Sequence, residues 1–235
     1  AEASNYSKGG QVKNVLGKDG LKEVADRVTY ADEDSGISDS ARAISQMILN
    51  GEDVANAQAL KLYKAAEAQE QKNFTQYRDA IKGATSIIER DNLISPSGLT
   101  FDESGQVIPS IGDNTNIKFQ ESRTEARKEA EKLQLKDDVA ASIGDTIASI
   151  KTGIGVVDDI ETIVRYPEAK AVYESVTGET LPSGRKELRE YLYKKNAENR
   201  VQSAREETEF WKDQAVGLLS QTETEDFGGN GQAVF

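Results

Sequence analysis

The run from Ile143 to Val164 reads IGDTIASIKTGIGVVDDIETIV, with Thr152-Gly153-Ile154-Gly155 at its centre. Glycines at this spacing can cradle a phosphate when a strand precedes them and a helix follows. Here Gly153-Ile-Gly155-Val-Val ends on Asp158, so the third glycine of a dinucleotide loop is absent, and the preceding residues do not read as a strand. A nucleotide-triphosphate loop needs Gly-Lys followed by Ser or Thr. Gly17-Lys18 is followed by Asp19, so that template fails as well.

Cation chemistry meets similar obstacles. Asp32-Glu33-Asp34-Ser35-Gly36 resembles the start of a helix–loop–helix calcium site, but its sixth position is Ile37 where that loop requires glycine. Gly228-Gly229-Asn230-Gly231 resembles one calcium-binding nonapeptide unit, yet Ala233 stands where the aspartate belongs, and there is one copy. Both read as turns.

For covalent and proton-transfer chemistry the candidates are Ser183 with Lys186, Tyr191 with Lys195, and the acid pairs Asp137-Asp138 and Asp158-Asp159. Ser183 reads as a helix cap. A Tyr and a Lys four residues apart are commonplace on a charged helix. Adjacent acids on a helix point about 100° apart, so neither pair closes on one site alone. The sequence has no Cys and no His, which removes disulfides, thiolate nucleophiles, imidazole bases and most zinc sites. The expectation is a non-enzymatic protein with no catalytic residue, metal or cofactor.

Composition limits the remaining classes. Hydrophobic residues are 37% and charged residues 30%, which suits helices with wide solvated faces and argues against a thick central core. The 41 acidic and 29 basic residues give a net charge of −12, so a phosphate backbone is repelled on average and sequence-specific nucleic-acid binding is not expected. One stretch, Arg185 to Arg200, sets six basic residues against three acidic ones and reads as a helix surface with paired charges. No apolar run approaches the roughly 20 residues of a transmembrane helix, and the polar start AEASNYSKGG does not read as a signal peptide.

The elements follow from periodicity. Residues 1–20, dotted with glycine, read as a flexible N-terminal arm, and 21–92 as a helical region. Ser38 is positioned to cap ARAISQMILN, and Asn50-Gly51 to end it. From Glu52 to Asp91 the spacing predicts one long helix with a seam at Phe74, Tyr77, Ile81 and Ile88. Residues 93–118 form a loop in which LTF and QVI flank Asp102-Glu103-Ser104-Gly105, a hairpin signal. Residues 119–220 read as a long-helix region with a break near 166–183, where Pro167 opens a short helix and Gly178 closes it. Residues 221–235 read as a flexible acidic tail.

Across 119–164 the apolar positions Leu135, Val139, Ile143, Ile147, Ile150, Ile154, Val157, Ile160 and Val164 step at a mean of about 3.6, the period of a straight α-helix. Beside them runs a row of small residues, Ala140, Gly144, Ala148 and Thr152, with Gly155 just beyond. Such a row lets a second helix approach closely. The small row and Ile143, Ile147, Ile150 and Ile154 are therefore the candidate interface of a helical assembly. The fold expected is mainly α: several long amphipathic helices with one loop and β-hairpin insertion, completed by oligomeric packing.

The polar, Ala/Gln/Glu-rich helices, such as ANAQALKLYKAAEAQEQKNF and AENRVQSAREETEFW, resemble those of an internal virion protein of a tailed phage. The missing Cys and His, the glycine-rich ends and the hairpin-bearing loop fit the same resemblance. It implies a structural protein of the virion interior or tail, an ejection protein forming a homo-oligomer near the portal or tail, with other virion proteins as partners. It further implies assistance in genome delivery and transient contact with the host envelope. Two alternatives share parts of the pattern: a scaffold, adaptor or tape-measure-like component without a conduit, and an enzyme built on convergent carboxylates.

Overall fold

The computed structural model describes residues 12–101 and 107–226, with side chains outside 97–111 and 219–226. The fold is mainly α. Eight helices are described: α1 (Val12–Thr29), α2 (Asp39–Leu49), α3 (Asn56–Arg90), α4 (Asp113–Lys132), α5 (Asp137–Lys151), α6 (Val157–Arg165), α7 (Pro167–Thr177) and α8 (Arg185–Asp226). Between α3 and α4, β1 (Ser97–Phe101) and β2 (Val107–Ile111) pair antiparallel, with Leu99 opposite Pro109. The turn expected at Asp102–Gly105 lies outside the described residues.

The chain divides into two compact units, one drawn from Ala1–Ala80 and Ile160–Tyr193, the other from Ile81–Asp159 and Lys194–Phe235. These units cut across the linear segments read from the sequence, because α3, α6 and α8 each supply residues to both.

The first unit is built on a small aliphatic core. Val12, Leu21, Val24, Ala25 and Val28 of α1 meet Ile44 of α2, Val54, and Ala59, Leu62 and Ala66 of α3. Val12 is 1% exposed, so α1 begins inside the stretch 1–20 expected to be a flexible arm, of which residues 1–11 lie outside the described residues. Gly17, at φ +65°, breaks α1 where a side chain would be strained. Ser38 caps α2 as its position predicts, accepting from Ala41 N, and Asn50 ends the helix ahead of Gly51 at φ +83°. Tyr166 precedes α7, Pro167 occupies its first turn, and Gly178 closes it at φ +69°.

The seam of α3 differs from the expected one. Ala59, Leu62, Ala66, Gln69 and Asn73 form the buried row, while Phe74 is 48% exposed. Tyr77 and Ile81 are half-buried and Ile88 is buried. The row runs through two amides instead of the larger apolar groups because those amides serve a buried polar network in this unit.

In the second unit α4 and α5 pack against each other. The single helix expected over 119–164 is broken twice. Leu133 and Gln134 end α4, with Gln134 at φ +59°, and Thr152 and Gly153 end α5, with Gly153 at φ +75°. Within α5 the 3.6-residue apolar stripe is buried at Ile143, Ile147 and Ile150 but exposed at Val139 in the first turn. Outside α5, Leu135 and Ile154 at the two breaks are half-buried, and Ile160 and Val164 of α6 are buried again. Continuity of an apolar pattern does not detect a glycine that takes a left-handed φ. At the other end of the chain α8 runs to Asp226, so residues 221–226 are helical where a flexible tail was expected.

Candidate functional site

The glycine run at 152–155 is a helix-ending turn read by α8. Asn199 Nδ2 donates to Ile150 O (2.9 Å), Ser203 Oγ to Thr152 O (2.8 Å), Arg200 Nε to Gly153 O (2.8 Å) and Asn196 Nδ2 to Gly155 O (3.0 Å). The last carbonyls of a helix have no partners within it. Four side chains at positions 196, 199, 200 and 203 supply donors at this end. A phosphate loop needs free, converging amides. The amides of Thr152, Gly153 and Gly155 instead bond Ala148, Ile150 and Ser149 carbonyls. The run is therefore spent on the chain's own backbone. A Cβ on Gly153 would fall on the backbone of Arg200 and 2.6 Å from Asn199 C; one on Gly155 would sit 2.9 Å from Asn196 Oδ1. The glycines do admit a helix, and it is α8 of the same chain.

The small-residue row has the same fate. Ala140, Gly144, Ala148 and Thr152 are buried within the chain. A Cβ on Gly144 already meets Arg123 O at 3.0 Å and Arg127 Cβ at 3.4 Å, so α4 occupies that face. Arg123 pairs with Asp145 beside it, and Lys151 with Glu125 at 3.0 Å. The interface expected between chains at these residues, with Ile143, Ile147 and Ile150, is an intrachain interface.

The two acid pairs lie in the first turns of α5 and α6, where a carboxylate complements the positive end of the helix. Asp159 accepts from Val156 N at 2.9 Å. Burial pushes its carboxyl up to about 6, aided by the nearby charges of Asp158 and Asp145 and opposed by the Val156 amide and the Thr146 hydroxyl. Between about pH 4 and pH 6 the folded chain thus holds a proton there that the unfolded chain has released. Asp159 then costs stability as pH rises through that window and adds no further change above it. Asn keeps the cap without the charge. Asp159→Asn is expected to gain about 1–3 kcal/mol relative to wild type on going from pH 4 to pH 7, read from urea unfolding at both pH values. Equal pH dependence of the two proteins would exclude this account of Asp159.

The first unit contains a buried ionic cluster. Arg189, 2% exposed, donates from Nε to Glu161 Oε1 (2.5 Å) and from Nη2 to Glu161 Oε2 (3.0 Å) and Tyr30 O (2.7 Å), while Nη1 pairs with Asp32. Asn73 Nδ2 donates to Glu161 Oε1 at 3.2 Å and is itself held by Gln69 Nε2 at 2.8 Å. Arg165 Nε, partly buried, lies 3.7 Å from Glu161 Oε2, so two guanidiniums face two buried carboxylates, an arrangement that locks packing. Tyr191, singled out with Lys195, donates to Glu179 Oε2 at 2.8 Å. Elsewhere in the basic stretch, Arg185 stacks over the Tyr30 ring at 4.7 Å and Lys186 pairs with Asp34 at 2.5 Å. The Lys186–Asp34 pair is of the kind expected of a charged helix surface, whereas Arg189 in the same stretch is buried.

In the second unit a buried carboxylate caps a helix from a distance. Gly112, which precedes α4, has no side chain with which to cap it. Glu207 of α8, fully buried, accepts from Thr115 N (2.9 Å), Thr115 Oγ1 (3.0 Å), Asn114 N (3.4 Å) and Trp211 Nε1 (2.9 Å). A Cβ at Gly112 would lie 2.5–2.7 Å from that carboxylate, so glycine leaves the room it fills. Glu207→Ala leaves the amide and hydroxyl of Thr115, 1% exposed, buried and unpaired. It is expected to cost about 2–4 kcal/mol in urea unfolding, with Thr115→Ala costing about 1 kcal/mol. Equal small losses for both variants would contradict the cap.

The remaining unusual feature is the far end of α8. Residues 211–218 are all exposed, including Trp211 (44%), Val216 (65%) and Leu218 (65%). Among the described residues no group of three acidic, Cys or His side chains is placed to hold a metal ion, and no helix is long and apolar enough to cross a membrane.

Comparison with protein-family models, with curated proteins and with solved structures finds no match. Function must come from the chain itself. Neither buried cluster was visible as a site in the sequence, yet a signal exists: Arg189, Tyr193, Asn196, Arg200, Ser203 and Glu207 recur at steps of four and three along α8. Polar residues at seam spacing mark a helix that binds its neighbours through hydrogen bonds.

Proposed function

We propose that the chain is a structural virion protein of a tailed phage, an internal or ejection protein that forms a helical homo-oligomer near the portal or tail and assists genome delivery. The observation that supports this reading is the exposed end of α8. Over 211–226 the helix continues for about 24 Å at 1.5 Å per residue. Isolated helices of this length are marginal in water, and stable ones are completed by packing of an apolar face. Exposed Trp211 and Leu218 supply such a face. A scaffold or tape-measure-like protein would share the feature, and a central lumen would separate the two. The partners under this reading are other copies and portal or tail proteins, with transient contact to the host envelope after release. The test is the mass of the purified chain across a dilution series, alone and with portal or tail proteins. Assembly with ring symmetry in particle reconstructions is the expected result. A stable 25.6 kDa monomer that joins neither would overturn the proposal.

A further inference from the structure

The first unit joins two stretches of chain, and its aliphatic core belongs to one of them. Every buried member of that core, and every partly buried apolar side chain packed on it, lies between Val12 and Ala66. The second stretch, 160–193, buries Ile160, Ile163, Val172 and Leu192, yet none of its residues enters that core. The turn between α1 and α2 meets the start of α8 through charged and polar groups. Arg185 donates to Thr29 O at 2.9 Å, Arg189 donates to Tyr30 O at 2.7 Å and pairs with Asp32, and Lys186 pairs with Asp34. From α3, Asn73 donates to Glu161 at 3.2 Å, and Tyr77 meets the Tyr193 ring edge-on at 6.0 Å. A cleft of about 560 Å³ opens beside these contacts, lined by residues 31–34 on one side and 183–187 on the other. Asp34, Arg185 and Lys186 at its rim are exposed, while Asp32 and Arg189 are buried behind them.

We propose that this joint is a latch: the turn at 29–34 and the start of α8 part as a local event while the aliphatic core of α1–α3 stays closed, and the charge of Arg189 holds them together. The two kinds of contact respond oppositely to water. The attraction within a buried ion pair little more than offsets the hydration lost on burying it, so parting the joint, which returns Asp32 and Arg189 to solvent, costs little. Opening the core exposes aliphatic side chains, which gain nothing from water. Local openings of a folded chain begin where separation costs least, and here that boundary is the ionic one. Arg189 is the pin because one guanidinium spans Asp32 of the first stretch and Glu161 of the second. Without it two carboxylates are stranded in a closed joint, and parting the joint relieves them.

The sequence has no cysteine, so a single introduced thiol reports local opening. Ala31→Cys places one in the joint, at a residue 2% exposed, and Ala59→Cys places one in the aliphatic core, at a residue 0% exposed. Full-length proteins carrying either thiol, with and without Arg189→Met, are labelled with a thiol reagent at concentrations where the rate rises in proportion to reagent. With Arg189→Met, labelling at Ala31→Cys is expected to rise at least tenfold and labelling at Ala59→Cys less than twofold, with the helical circular dichroism unchanged. Adding Asp32→Asn and Glu161→Gln should lower the first rate again at least threefold. Equal rises at both positions would mean that the unit opens as one body and would overturn the latch, as would no rise at either. A rise that the two added substitutions leave unchanged would overturn the role of charge. If Arg189→Met loses its helical signal, Arg185→Ala, at an exposed position, takes its place in the same comparison. It should raise labelling at Ala31→Cys at least threefold and leave Ala59→Cys unchanged, and equal effects at the two positions would again overturn the latch.

Discussion

Gly153→Ala is expected to destabilise the chain by about 3–5 kcal/mol, the largest effect of any single methyl group added here. Two costs add. At φ +75° an L side chain is strained by about 1–2 kcal/mol. The new carbon would also fall on the backbone of Arg200, within a continuous stretch of α8, where there is no flexible end to swing aside. Relief would require α8 to move away, and the bonds from Asn196, Asn199, Arg200 and Ser203 to the 150–155 carbonyls would lengthen together. Gly178 separates the two costs, because it has φ +69° and open space around its Cβ position. Gly178→Ala should therefore lose only about 1–2 kcal/mol. Urea unfolding of both variants measures the difference. Losses equal within error would mean that α8 does not approach as closely as 2.6 Å, and the account of the glycine run would fail.

That pair of glycines also measures what the sequence could carry. Local signals were legible wherever a residue acts on its own neighbours: Ser38 on Ala41, Asn50 and Gly51 at the end of α2, and Pro167 and Gly178 at the ends of α7. Helical character was legible for the same reason, since amphipathic spacing is a property of a short window. Position 153 was ambiguous because the same glycine can sit inside a helix at modest cost or end it. The choice is made by Arg200, 47 residues away. The seam of α3 was misread at Phe74 because Gln69 and Asn73 turn inward to a carboxylate at Glu161, 88 residues beyond Asn73. Glu207 was invisible as a cap because Thr115, whose amide it accepts from, lies 92 residues before it. In each case the missing information is a polar pairing across long sequence separation, which hydrophobic periodicity does not encode.

Arg189→Met should cost about 3–5 kcal/mol, and the loss should depend on pH in a direction fixed by the cluster. Removing the guanidinium deletes the bonds to Glu161, Asp32 and Tyr30 O together and leaves two carboxylates in a buried site. Burial already pushes the Asp32 carboxyl above its ordinary range, and the charges of Arg189 and Lys72 oppose that shift. Without Arg189 the opposition weakens and the carboxyl rises further. A raised carboxyl stabilises the fold below its ordinary range and loses that contribution as pH rises through the folded value. The penalty of Arg189→Met is thus expected to be smaller at pH 4–5 than at pH 7–8. Adding Asp32→Asn and Glu161→Gln to Arg189→Met removes the stranded charges and should recover about half of the loss at pH 7, with little pH dependence left. Urea unfolding of the three proteins at both pH values is the measurement. A loss independent of pH, or no recovery in the triple variant, would mean that Arg189 contributes through the packing of its carbon stem and not through its charge.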